Sequence, residues 1–302
     1  MKKNIIIDTD PGIDDATAII LALKHPNLTV RLITTVGANV TVDQATTNAL
    51  KLVEFMKADV PVARGSEKPL LKELKTIPSI HGETGMDGYD FPTPAQAPLD
   101  MHAVEAMRQT ILKHSKDITI VSIGAMTNLA LLLAMYPEMK KHISEIVMMG
   151  GAIHGGNTSS IAEFNIASDP HAADLVFKSE IPLTMIGLDV TEKALLYRQA
   201  ALKIKESGQI GEMLYQLFEH YGGHGLDHGM TIHDASTIAY LTQPDLFKTE
   251  MKYLRVITEG LATGAIITNS EYEPVPEKLE TKKVCLNVDP EQFENWMLSQ
   301  FK

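Results

Sequence analysis

"IIIDTDPGIDDA", residues 5–16, sets three isoleucines directly ahead of four aspartates, Asp8, Asp10, Asp14 and Asp15. The β-branched run reads as a strand buried on both faces, Pro11-Gly12 as the turn that ends it, and Asp14-Asp15 as the start of a helix. Carboxylates near a helix N-terminus gain from its dipole, but capping accounts for one or two aspartates, not four. Like charges this close repel unless they are protonated or neutralised, and a hard divalent cation with oxygen ligands is the commonest way to hold them ionised. The stretch therefore points to a metal, Ca2+ or Mg2+, at the end of the first strand.

The same strand-then-helix unit recurs along the chain. Short β-branched runs at 29–35 and 118–123 are followed by helical patterns at 42–56 and 128–134, and 143–149 and 183–188 read as further buried strands. Alternation of this kind implies right-handed crossovers around a mainly parallel sheet flanked by helices, a Rossmann-like open α/β fold. Residues 65–99 are irregular and carry the run "HGETGMDGYD"; loops of that length usually serve as functional lids or are disordered insertions. Residues 192–221 look mostly helical, "IHDASTIAYL" at 232–241 has helical spacing, and the tail from 284 reads as a strand and a closing helix capped near Asp289. No repeat, low-complexity run or linker divides the chain, so one domain over 1–302 is expected.

Composition narrows the function classes. A chain of 302 residues that is 44% hydrophobic can cover a sizeable core, and its formal charge of −11 supplies no basic face for nucleic acid. The first residues offer neither an uninterrupted apolar signal region nor a membrane span, so a cytoplasmic protein without membrane partners is expected. The single cysteine, Cys285, has no partner for an internal disulfide or a thiolate zinc site and reads as an apolar filler.

In an open α/β sheet the strand carboxyl ends form the ligand crevice, and two further sites for polar atoms fall at such places. A strand stopping at Gly124 leaves the carbonyl of Ile123 as a possible neutral oxygen ligand. His233-Asp234 begins a helix, where such a pair is usually a cap or a surface pair. The run "HYGGHGLDHGMTIHD" adds His220, His224 and His228, but its glycines suggest a loop that closes over a ligand rather than a second metal site. There is no phosphate loop, dinucleotide fingerprint or nucleophile elbow. An EF-hand is excluded by Gly12 at the fifth and Ile19 at the twelfth position counted from Asp8.

"DTDPGIDDA" closely resembles the N-terminal signature of the inosine-uridine preferring nucleoside hydrolases. Further motifs of that family follow in order: "VGAN" (36–39), "HGETG" (81–85), "GAMTNLA" (124–130), "MMGGA" (148–152), "AEFNIASDP" (162–170) and "IHDA" (232–235). The resemblance implies hydrolysis of the N-glycosidic bond of ribonucleosides, with broad or pyrimidine-tolerant base preference, in purine and pyrimidine salvage. It implies one Ca2+ held by Asp10, Asp15, Asp234 and the carbonyl of Ile123, with Asp8 in support. Asp14 and Asn39 match residues that grip the ribose diol; Asn157, Glu163 and Asn165 match those on its 3′- and 5′-hydroxyl side; Met149 matches a residue lining the sugar pocket. His81 matches a histidine facing the nucleobase, and Phe164, within "AEFN", is a candidate for stacking on the base. The family forms homodimers and homotetramers, so a homo-oligomer is expected. Thr263 stands ahead of Gly264 where the family often carries arginine.

The chemistry can be reasoned alongside the resemblance. Breaking an N-glycosidic bond builds oxocarbenium character on the ribose and needs an activated water. Calcium acidifies water less than zinc does, so a neighbouring carboxylate must take the proton, and Asp10 is the candidate general base. His233 is the candidate donor to the leaving base. Two other readings share some of these features. A haloacid dehalogenase-type phosphatase also uses D-x-D after an apolar strand, but expects Thr or Val where Gly12 stands. A non-catalytic, calcium-dependent nucleoside or ribose binding protein would not need both Asp10 and His233.

Overall fold

The computed structural model describes residues 2–268 and 280–302. The isoleucine run lies in β1 (Lys3–Thr9), where side chains alternate between the two faces of the sheet. Ile5 and Ile7 join one apolar cluster, with Ile20, Leu52, Leu217 and Ile238, whereas Ile6 joins another, with Met107, Leu129, Val176 and Val284. All three are fully buried, so helices must cover both faces. Burial of each contributes roughly 1.5–3 kcal/mol relative to exposure. Helices Ile13–Lys24, Val42–Phe55, Gln209–Glu219 and Ala235–Thr242 feed the first cluster; Ala103–Lys113, Thr127–Met135 and Pro170–Phe177 feed the second.

The central sheet continues with β2 (Leu28–Thr35), β3 (Val62–Arg64), β4 (Thr119–Ser122), β5 (Glu145–Met149), β6 (Leu183–Ile186), β7 (Phe247–Lys252) and β8 (Lys282–Val288). Its eight strands lie in the order β3-β2-β1-β4-β5-β6-β8-β7, parallel except for the β8/β7 pair. Chain order runs outward from β1 to β3 on one side and from β4 to β6 on the other, where β8 then lies inside the edge strand β7. β1 and β4 are therefore neighbours at the reversal point, with Asp8 paired to Ser122, and a crevice opens beyond their carboxyl ends. This is the mainly parallel α/β architecture expected from the sequence, and Cys285 is a buried residue of β8.

Several elements differ from the sequence reading. β7, "FKTEMK", escapes a hydrophobic pattern because it is an edge strand with four exposed residues in succession, and β3 has only three residues. The strand expected over 183–188 ends at Ile186. Gly187 packs against Gly151, Leu188 N–H bonds to Gly151 O at 2.9 Å, and Leu188–Thr191 turns into a short helix instead. Residues 65–99 contain one helical turn, Pro78–His81. No helix among the described residues is long and apolar enough to cross a membrane.

Candidate active site

The aspartates at and beyond the end of β1 are held by different sets of partners. Asp8 Oδ1 accepts hydrogen bonds from Thr34 Oγ1 at 2.6 Å and Asn128 Nδ2 at 2.8 Å, while Oδ2 is buried without a partner. Asp10 Oδ2 accepts from Asn39 N–H at 2.6 Å, and its Oδ1 is likewise buried and unpartnered. That oxygen lies so close to Gly124 that a Cβ there would collide with it, which accounts for glycine at the end of β4. Asp15 accepts from Thr9 Oγ1 at 2.5 Å, Gly12 N–H at 3.0 Å and Asn39 Nδ2 at 3.1 Å. Asn39 thus ties Asp10 to Asp15.

Asp14, on the first turn of the helix after Gly12, meets Asp234, which immediately precedes the helix Ala235–Thr242. Oxygens of Asp14, Asp15 and Asp234 lie within 4.8 Å of one another. Among the described residues the one basic side chain that approaches this group is His81, with Nδ1 3.9 Å from Asp14 Oδ1. Burial pushes the carboxyls of Asp8, Asp14 and Asp15 up to about 6, and the charge of Asp14 adds to the effect on Asp15. Asp10 and Asp234 stand well above the ordinary carboxylate range, first through burial, then through the charges of Asp15 on Asp10 and of Asp14 on Asp234. Carboxylates gathered and buried without a countercharge could hold a cation, and their all-oxygen donor set would suit a hard one.

The opposite wall comes from the ends of β4 and β5. The Ile123 carbonyl, just past β4, accepts from Asn165 Nδ2 at 3.2 Å, and the same amide donates to Met149 O at 3.1 Å. Glu163 is buried and accepts from the N–H groups of Gly151, Asn165 and Ile166, which caps the turn Phe164–Ser168; burial still lifts its carboxyl to about 7. Asn157 Oδ1 accepts from Phe164 N–H at 2.9 Å. Phe164 packs on Val36, Ala38 and Ala125.

Both candidate histidines reach the same space. His81 Nδ1 accepts from Ile13 N–H at 3.2 Å, its ring meets that of Tyr221 edge-on at 5.8 Å, and a Cβ on Gly12 would stand 2.7 Å from Nδ1. His233 Nδ1 lies 2.8 Å from Thr191 Oγ1. Burial holds both imidazoles down to about 4. A cavity of about 940 Å³ joins these walls, lined by Asp14, Asn39, Ile123, Met149, Glu163, Asn165 and Asp234 at one side and by His81, Tyr221 and His233 at another. Asn157 and Phe164 also line it.

Every residue assigned to the sugar or base from the sequence thus borders one cavity, with Asp8, Asp10 and Asp15 buried directly behind it. Asp14, assigned to the ribose diol, shares the three-carboxylate cluster, whereas Asp10 stands beside that cluster. His224 and His228 also line the cavity; His220 turns away to Gln216 O at 3.0 Å. Sequence reasoning missed Asn128, whose amide bonds Asp8, Thr35 O, Ser66 N–H and Ser66 Oγ, and Thr191, the partner of His233. Thr191 lies just beyond β6, so the rule that strand ends carry function would have found it.

Comparison with known proteins places nearly the whole chain in one family. Residues 5–295 match the model of the family described as inosine-uridine preferring nucleoside hydrolase. The chain is 43% identical over 296 residues to the non-specific ribonucleoside hydrolase RihC of Klebsiella pneumoniae, covering 98% of this chain and 97% of that one. Among solved structures it resembles the plant nucleoside hydrolase PpNRh1, with a TM-score of 0.93 and 31% identity over 100% of this chain and 99% of that one. It also resembles a purine-preferring ribonucleoside hydrolase from Gardnerella vaginalis, with a TM-score of 0.91 and 32% identity over 99% and 98%. By sequence along nearly its whole length, and by fold, the chain belongs to the inosine-uridine preferring nucleoside hydrolase family.

Proposed function

We propose that this protein hydrolyses the N-glycosidic bond of ribonucleosides to ribose and free base, at the cavity above β1 and β4. The observation that carries the reading is the meeting, around one cavity, of a buried carboxylate cluster with the side chains of two histidines, His81 and His233. Asp10, Asp15, Asp234 and the Ile123 carbonyl, with Asp14 adjoining, would hold one Ca2+. When bound, that ion neutralises the carboxylates, orients the ribose diol and makes a nearby water more acidic.

The protein's own groups do the rest. Asp10 has one carboxylate oxygen fixed by Asn39 N–H and the other free, so it can take a proton from the attacking water without losing its position. Asp14 and Asn39 orient the diol, while Asn157, Glu163 and Asn165 orient the other hydroxyl side of the sugar. Met149 and Phe164 supply apolar walls against which the ribose and base settle. On the leaving side His81 and His233, both neutral near pH 7, each offer an N–H hydrogen bond to the base as negative charge builds on it, and the departing base takes its proton from solvent water. Direct attack by water inverts the anomeric carbon and needs no covalent intermediate.

The size of the cavity and the naming of the RihC relative as non-specific support broad base preference. The chain acts as one catalytic domain, in the cytoplasm, as a homodimer or homotetramer; light scattering after gel filtration reads the oligomeric state. Chromatographic detection of free base from inosine, adenosine, guanosine, uridine, cytidine and thymidine tests the reading. Release of base and ribose supports it; release of phosphate from phosphorylated sugars in its place, or a nucleoside recovered intact after long incubation, overturns it.

A further inference from the structure

His233 lines the cavity while its Nδ1 sits 2.8 Å from the Thr191 hydroxyl. Thr191 is fully buried, and that ring nitrogen is the only hydrogen-bond partner of its hydroxyl among the described residues. A neutral imidazole carries its proton on one nitrogen and accepts at the other. Were the proton on Nδ1, Thr191 would accept it and its own O–H would be buried without an acceptor, an unfavourable state. With the proton on Nε2, the Thr191 O–H donates to Nδ1 and both groups are satisfied. We propose that Thr191 is a positioning residue for departure of the base: its hydroxyl donates to His233 Nδ1 and so leaves Nε2–H as the donor offered to the nucleobase. The inference rests on the role given to His233 above.

The hydroxyl is well placed to impose this choice because its short helix is closed by its own turn bond and tied to the loop at 151–154. Leu188 N–H bonds to Gly151 O at 2.9 Å and Thr191 N–H to Gly187 O at 3.1 Å. Between them the Asp189 carboxylate accepts from Ile153 N–H at 2.7 Å and His154 N–H at 3.1 Å. The helix is thereby tied to the glycine-rich loop whose Gly151 N–H is held by Glu163. His81 follows the same logic by a different route. A backbone N–H can only donate, so the Ile13 N–H at His81 Nδ1 also places the proton of a neutral ring on Nε2. Two Nε2–H donors, one set by the main chain and one by a hydroxyl, suit any base that gathers negative charge on a ring nitrogen or carbonyl oxygen as it leaves.

Thr191→Val keeps the shape and removes the hydroxyl; Thr191→Ser keeps the hydroxyl. The valine variant should lose about ten- to a hundredfold in kcat on uridine and inosine, with KM changed less than about threefold. Its turnover of p-nitrophenyl riboside, whose leaving group needs little help, should stay within about threefold of the parent, and Thr191→Ser should recover nucleoside turnover to a similar margin. Wild-type nucleoside turnover in Thr191→Val, or equal losses on both substrates, overturns the assignment. Nitrogen-15 spectra of the parent imidazoles test it without activity: the proton of neutral His233 should sit on Nε2, and a proton on Nδ1 overturns it. A His233→Ala variant separates the two levels. If that variant does not distinguish the substrates, the role of His233 falls; if it does and Thr191→Val does not, the role of Thr191 alone falls.

Discussion

Affinity for a divalent cation should fall steeply below about pH 6. Asp14 and Asp15 carry carboxyls pushed up to about 6 by burial, and a cation is held by their ionised forms. One pH unit below that value each group is about nine-tenths protonated, which weakens binding about tenfold, or about 1.4 kcal/mol, per group. Between about pH 7 and about pH 5 these two residues alone should lower the apparent Ca2+ affinity about a hundredfold, with about two protons released per ion bound at the lower pH. Stability follows the same linkage. An acid whose folded pKa lies above its unfolded value adds stability that is present below the unfolded value and lost as pH rises through the folded one. The cation-free protein should therefore lose stability from these groups as pH rises from about 4 to about 6. His81 and His233, held down to about 4, act in the opposite sense: their contribution is present above their unfolded value of about 6.5 and lost as pH falls toward 4. The histidines titrate with and without the cation, so the difference in Tm between loaded and chelated protein isolates the carboxylates. That difference should be larger at about pH 7 than at about pH 5 by roughly 5 °C, the equivalent of about 3 kcal/mol. Competition with a chromophoric chelator gives the affinity and scanning calorimetry the Tm. An affinity independent of pH over this range, or tighter at the lower pH, would show that the buried carboxylates are ionised without a cation and would refute the reasoning.

Other perturbations separate the parts of the site. Asp10→Asn keeps an acceptor for Asn39 N–H, so near-ultraviolet circular dichroism should match the parent while ribose release falls about 10²- to 10⁴-fold; undiminished turnover contradicts a base at Asp10. His233→Ala should reduce hydrolysis of uridine and inosine far more than that of p-nitrophenyl riboside in parallel rate measurements, and equal reductions contradict a donor role. Asn128→Ala removes the hub that satisfies Asp8 and Ser66 and should lower stability by about 3 kcal/mol, read as a reduced urea midpoint; a midpoint within error of the parent contradicts the bracing role.

Much of this site was legible because it is written at strand ends. β1 announces itself through Ile5, Ile6 and Ile7, and crowding of charge directly after such a strand has few physical explanations. The motif order then places Ile123, Asn165 and Asp234 around it, and the crevice at the β1/β4 reversal brings them together. What could not be read is how each carboxylate is shared. Asn39 reaches Asp10 and Asp15 at once through its main chain and its amide, and Asp14 lies against Asp234 through a meeting of two helix starts more than two hundred residues apart in sequence. Neither follows from spacing. β7 stayed hidden because an exposed edge strand needs no apolar alternation, and the end of β6 was misplaced because "LTMIGL" is apolar beyond the point where Gly187 leaves the sheet.

The central claim is that ribose release depends on a cation held by the carboxylates after β1. A reducing-sugar assay on uridine and inosine, run on protein stripped by a chelator and then titrated with Ca2+, tests it most directly. Activity should vanish on stripping and return in full with about one ion bound per chain. Undiminished ribose release from stripped protein would contradict the account.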